Sequence, residues 1–167
     1  MSESKIGLIL GSIWEVVCYD VDGKEKWREV NKNLVVDTGL DDVLSNYFKG
    51  SGYTAAHYVG LKDTGTVVAG DTMASHSGWA ELAIYSESVR QTLTLGTVAS
   101  KSVDNSASKA TFTINASDDV YGAFLTTNNT KSGTTGVLYG AVDFSSAQSV
   151  VSGDVLLVTV TLTSAAS

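Results

Sequence analysis

From residue 53 onward apolar and polar residues alternate with period two, the signature of strands with one buried face. Ala110-Thr111-Phe112-Thr113-Ile114 alternates cleanly, as does Leu156 through Thr163. Between Val89 and Leu95 the same rule turns Leu93 and Leu95 inward and Thr92 and Thr94 outward. Shorter strands are predicted at residues 57–62, 79–85, 98–103, 121–126 and 137–144, separated by turn-rich stretches such as Asp63-Thr64-Gly65 and Ser152-Gly153-Asp154. Many short strands with turns between them imply a mainly β fold, a jelly-roll-like β-sandwich. The segment Val137-Leu138-Tyr139-Gly140-Ala141-Val142-Asp143-Phe144 breaks the alternation, because both of its faces are mostly apolar. A sandwich strand with two apolar faces needs a second cover, either a helix of the same chain or another subunit. The chain has no proline, so its strand edges lack that form of protection.

Ahead of the sandwich (51–167) the pattern predicts an N-terminal arm (1–12), a β-hairpin (13–36) and one helix (37–50), all in one structural domain. In the arm, Ile6, Leu8 and Leu10 share a strand face, suited to pairing with a neighbour's exposed edge. At about 3.3 Å per extended residue the arm could reach roughly 40 Å. Removing residues 1–10 should therefore leave the domain intact. In the hairpin, Asp22-Gly23 is the turn, since glycine accepts the positive φ of a tight loop. A two-residue loop would set Asp20 against Glu25. A three-residue loop sets Asp20 opposite Lys24 and Val17 opposite Trp27, and is preferred. For the helix, Thr38 is the expected N-cap and Gly50 the expected C-terminal stop. Leu40, Val43, Leu44, Tyr47 and Phe48 form one apolar stripe, expected to pack beneath the β domain rather than on a membrane or partner.

Composition narrows the picture. The chain's 167 residues suit a single domain with a real core, and 43% apolar content argues against wholesale disorder. Charged residues make up only 17%, against roughly 25% in ordinary soluble domains, a lean toward an assembly component. Net charge is −7, and the densest basic run, Lys24 to Lys32, is interleaved with Glu25 and Glu29. Nucleic acid is therefore not an expected partner. Cys18 is the single cysteine, so no internal disulfide can form. Ile6 to Leu10 is too short an apolar run for a membrane span, and no cleavage-site pattern follows it.

No catalytic or metal motif is present. His57 and His76 lack partners at ligand spacing. Asp20-Val21-Asp22-Gly23 begins like a calcium loop but lacks the sixth-position glycine and the closing glutamate. Ser75-His76-Ser77 has no nucleophile elbow around it, and Asp118-Asp119 reads as turn chemistry. No cofactor and no enzymatic activity are expected.

The segment Trp14-Glu15-Val16-Val17-Cys18-Tyr19-Asp20-Val21-Asp22-Gly23-Lys24-Glu25-Lys26-Trp27, followed by Asn33-Leu34-Val35-Val36-Asp37-Thr38-Gly39-Leu40, resembles tailed-bacteriophage virion proteins. The hairpin pattern W-x-V-x-C-Y-D-x-D-G-x-x-K-W and the helix start N-L-V-x-x-x-G-L carry the likeness. It continues through Tyr58-Val59-Gly60-Leu61, residues 69–76, Gly78-Trp79, Tyr85-Ser86-Glu87, residues 102–106 and Gly136 to Gly140, leaving out residues 1–12. The resemblance implies a head decoration, or cement, protein on the capsid exterior, synthesised in the host cytoplasm and bound to the major capsid protein. No functional residues come with it. Self-association as a dimer or trimer is expected from the arm and the doubly apolar strand. Interface candidates are Ile6, Leu8, Leu10, Trp14, Trp27, Leu138 and Val142. The other reading is a tail or fibre module, with Trp14, Trp27, Trp79 and the tyrosines as sugar-stacking platforms.

Overall fold

The computed structural model describes residues 8–50 and 56–166. Its strands are β1 (Leu8–Tyr19), β2 (Glu25–Lys32), β3 (Leu34–Val35), β4 (Tyr58–Gly65), β5 (Trp79–Glu81), β6 (Gln91–Thr92), β7 (Ser102–Asp104), β8 (Ala110–Thr113), β9 (Asp118–Thr126), β10 (Leu138–Val150) and β11 (Val155–Ala166). Among the described residues there is one α-helix, α1 (Asp37–Val43), which runs on into a π turn, Leu44–Phe48. The strands form two antiparallel sheets packed as a sandwich. One is five-stranded in the order β2-β1-β11-β7, with β8 also on β11; the other is six-stranded in the order β3-β10-β9-β4-β5, with β6 also on β4. First and last strands are neighbours, β1 running against β11 from Leu8↔Ala166 to Tyr19↔Val155.

The alternation read from the sequence places the core. Trp14, Val16 and Cys18 of β1, Phe112 of β8, Leu125 of β9 and Leu156, Val158 and Val160 of β11 meet between the sheets. The β1–β2 turn is the three-residue loop: the Asp20 amide donates to the Lys24 carbonyl at 2.9 Å, and Gly23 has φ +79°. The Asp20 carboxylate accepts from the amides of Asp22 and Lys24. Beyond Tyr19↔Glu25 a bulge shifts the register, so Cys18 faces Trp27 and Val17 faces Arg28. The expected Val17–Trp27 pair does not form. Asp118 and Asp119, read as turn residues, open β9 instead.

One other expectation needs correction, and one alternative left open by the sequence is decided. Leu8 to Ser12 are not a free arm, because each pairs with β11 of the same chain. The second cover of β10 is also internal. Leu138 and Ala141 pack with Val36 at the helix start, with Val67 and Met73 of the loop after β4, with Trp79 of β5, and with Phe124. No second subunit is needed to bury that strand.

Buried charges lock the loops to this frame. Lys62, fully buried, makes an ion pair with Asp143 at 3.0 Å and donates to the carbonyls of Asp63 and Gly65. Arg90, 1% exposed, forks onto Glu81 and donates to the carbonyls of Asn128 and Gly133 at 2.9 and 2.7 Å. Across the open side, Glu29 of β2 accepts from Ser145 and Gln148 of β10. Burial alone would raise the Glu29 carboxyl, but hydrogen bonds from Asn31, Ser145 and Gln148 outweigh it and hold it below the usual carboxylate range.

Candidate interaction surface at the helix end

The helix docks through its smallest residue. Val36, not Thr38, occupies the N-cap, and no side chain caps the helix. The Thr38 hydroxyl instead donates to the Leu138 carbonyl at 2.8 Å. Gly39 is buried against β10. At about 100° per residue, Leu40 and Leu44 lie about 100° and 140° around the helix from Gly39. That geometry turns Leu40 and Leu44 outward, contrary to the expected core packing, while Val43, about 40° from Gly39, stays half-buried on the cleft side. Leu40 is 40% exposed, Leu44 58%, Tyr47 80% and Phe48 66%. The rings of Tyr47 and Phe48 meet edge to face, centroids 5.0 Å apart. Gly50, with φ +73°, follows the π turn as expected.

Beside this stripe lies a cleft of about 610 Å³. Asp42, Val43, Asn46 and Tyr47 form one bank, His57, Leu93 and Leu95 the other, with Leu125, Tyr139 and Leu162 completing the lining. Its polar groups are few. Asn46 donates to Asp42 at 2.8 Å. His57 meets the Tyr139 ring edge-on at 6.2 Å. Burial lowers the His57 pKa, only partly opposed by the Asp42 carboxylate, so the imidazole is neutral at pH 7. A smaller depression of about 250 Å³ adjoins the cleft through the shared residues Tyr139 and Leu162, and includes Leu10, Val98 and Lys101. The surface therefore offers apolar area with a thin polar border, suited to taking up side chains.

The sequence-derived interface residues are scattered. Ile6 lies outside the described residues, and Leu8 pairs with Ala166. Leu10 lines the smaller depression. Trp14, Leu138 and Val142 are at most 1% exposed, so they cannot form an interface without unfolding. Trp27 is half-buried, packed edge-on to Phe144 at 6.1 Å, with its indole N–H on the Ser149 carbonyl. Sugar-stacking by the tryptophans fares no better. Trp79 stacks on His76 at 4.1 Å, touches Phe124 at 5.3 Å and donates to Asp71. The exposed surface that sequence reasoning missed was visible as the helix stripe; what misled was the assumption that such a stripe faces its own core.

The potential reaction chemistry is equally plain. The Cys18 thiol lies 3.7 Å from Asp154, which also pairs with Lys26. Burial, with Asp154 adding to it, pushes that thiol up to about 12, so it is protonated and unreactive in the folded chain. His76 donates through Nδ1 to the Trp79 carbonyl at 2.9 Å. Among the described residues no three His, Cys, Asp or Glu side chains gather where a metal ion could be held, and no helix is long and apolar enough to cross a membrane.

Fold and surface together define a two-sheet β-sandwich bearing an outward apolar helix. No known family description, curated protein or solved structure matches the chain.

Proposed function

We propose that this chain is a non-enzymatic structural protein of a tailed-bacteriophage particle, a decoration protein that binds the major capsid protein on the outside of the head. The sequence resemblance in the hairpin and helix start supports the virion setting. One structural observation supports a protein-binding role: the outward face of Leu40, Leu44, Tyr47 and Phe48 on a helix braced against a rigid sheet. Burying a large apolar side chain contributes about 1.5–3 kcal/mol. Four partly exposed ones would contribute on the order of 4–8 kcal/mol. Losing translational and rotational freedom costs a comparable amount, so this face is the centre of a larger contact rather than the whole of it. Self-association is not part of the proposal, since the described part of the arm, residues 8–12, and the doubly apolar strand find their covers within the chain.

The test is to add purified protein to shells of the cognate major capsid protein that lack it. Saturable binding, density on the outer surface by cryo-electron microscopy, and slower thermal disruption of the shell are expected. Density on tails or fibres alone would favour the other virion reading, and turnover of a substrate would overturn both.

A further inference from the structure

We propose that the outward face of α1 and its π turn, with the cleft beside it, receives an amphipathic helix whose apolar stripe is flanked by lysine or arginine. The inference deepens the protein-binding reading above and rests on it. The centre of the face is apolar, Leu44, Tyr47 and Phe48 being 58%, 80% and 66% exposed. Its border is acidic: Asp37 and Asp41 are exposed and Asp42 stands on the cleft bank. On a helix, residues three and four apart are surface neighbours, which sets Asp37 beside Leu40 and Asp41 beside Leu44. Lys49 is the single basic residue between positions 37 and 50. The backbone of this segment is spent on its own turns, as in the Lys49 amide donating to the Leu44 carbonyl. Recognition must therefore run through side chains, which suits a helix laid in a groove and not an added strand.

Charge decides among occupants. A second copy would bring the same aspartates against these, on chains each carrying −7. An anionic membrane surface is repelled for the same reason. A partner with basic flanks gains at the rim, where charges chiefly speed encounter and select partners, and where added salt weakens them.

The probes are two synthetic amphipathic peptides with leucines at i, i+3, i+4 and i+7, one flanked by lysines and its twin by glutamates. Titrated into the full-length protein at low salt, the lysine peptide should bind about tenfold or more tightly than its twin. The gap should narrow as salt rises. Leu44→Asp with Tyr47→Ser should abolish binding of both with the melting temperature retained, and Asp37→Lys with Asp41→Lys should reverse the preference. Equal binding of the twins, no binding of the lysine peptide, or undiminished binding by the Leu44/Tyr47 variant would overturn the proposal. So would self-association, or attachment to phosphatidylserine vesicles, that the same variant abolishes. The shell assay separates this proposal from the reading beneath it. A Leu44/Tyr47 variant that still decorates shells removes this face from the contact while decoration stands. Wild-type protein that ignores shells but binds the lysine peptide removes decoration and leaves the face.

Discussion

A Cβ built on Gly39 would lie 2.2 Å from the carbonyl oxygen of Tyr139. Helix and sheet meet here backbone to backbone, and that contact sets the angle at which the apolar stripe leaves the domain. Gly39→Ala gains about 1 kcal/mol of helix propensity. The clash is with main chain that cannot rotate away, and overpacking of this kind costs about 1–3 kcal/mol. The clash should win, since a Cβ this close to main chain lies at the costly end of that range: a net loss of up to about 2 kcal/mol in urea unfolding, with weaker binding at the helix face. A variant as stable as the parent would show that the helix sits more loosely than described.

Cys18 reports on alkaline stability. Its thiol titrates at about 12 in the folded chain, against an ordinary value of 9.0. Between those values the folded state keeps a proton that the unfolded state releases, so stability is full below pH 9 and falls as pH rises toward 12. Cys18→Ala should remove this part of the slope, leaving the part due to Tyr85, whose hydroxyl burial also raises. Unfolding curves from pH 8 to 11 would show it. Iodoacetamide at pH 8 should label the thiol only as fast as the chain opens; rapid native labelling would contradict the burial.

Asn105 fills a gap in the β11 ladder between β7 and β8. Its side-chain amide donates to the Val158 carbonyl at 3.1 Å and accepts from the Val160 amide at 2.7 Å, in place of a strand's peptide group. Asn105→Ala orphans two buried backbone groups and should cost about 2–4 kcal/mol. Hydrogen exchange at the Val160 amide should accelerate with it. Unchanged protection there would mean that water replaces the side chain without penalty.

Truncation tests the start of β1. Removing residues 1–7 keeps every described rung between β1 and β11, whereas removing residues 1–12 deletes the rungs from Leu8↔Ala166 to Ser12↔Leu162. The first variant should melt with the parent and the second several degrees lower, by about 4–8 °C for each kcal/mol lost in a domain of roughly 100 residues and less in a larger one. Equal melting of all three would restore the view that residues 8–12 are dispensable.

Local chemistry was legible in the sequence, and tertiary choices were not. The Asp20–Lys24 loop follows from one glycine and one aspartate, so it could be read directly. The register beyond it depends on a bulge at Cys18 that leaves no mark in composition. Leu93 is buried as its alternation required, while Leu95, two residues on, is 37% exposed because it stands on the cleft bank. The helix stripe was recognised, but which way it faces depends on Gly39 meeting Tyr139 across 100 residues of sequence. Lys62 and Arg90 lie in the interior, where side chains of their kind are rarely found unpaired. Their partners Asp143, Asn128 and Gly133 are remote in sequence, and no spacing announces them.

The pairing of Leu8 with Ala166 brings the start of β1 beside the end of β11. Antiparallel partners stand about 5 Å apart, so in a chain trimmed to residues 8–166 a short Gly-Ser linker could join Ala166 to Leu8 without disturbing either strand. New ends could then be cut in the exposed Val21–Lys24 loop, at the opposite end of β1 from Leu8. Such a permutant would carry a fused cargo well away from the cleft, whereas cargo joined at Leu8 or Ala166 of the trimmed chain would emerge beside Leu10 and Ser164, on the rim of the depression adjoining it.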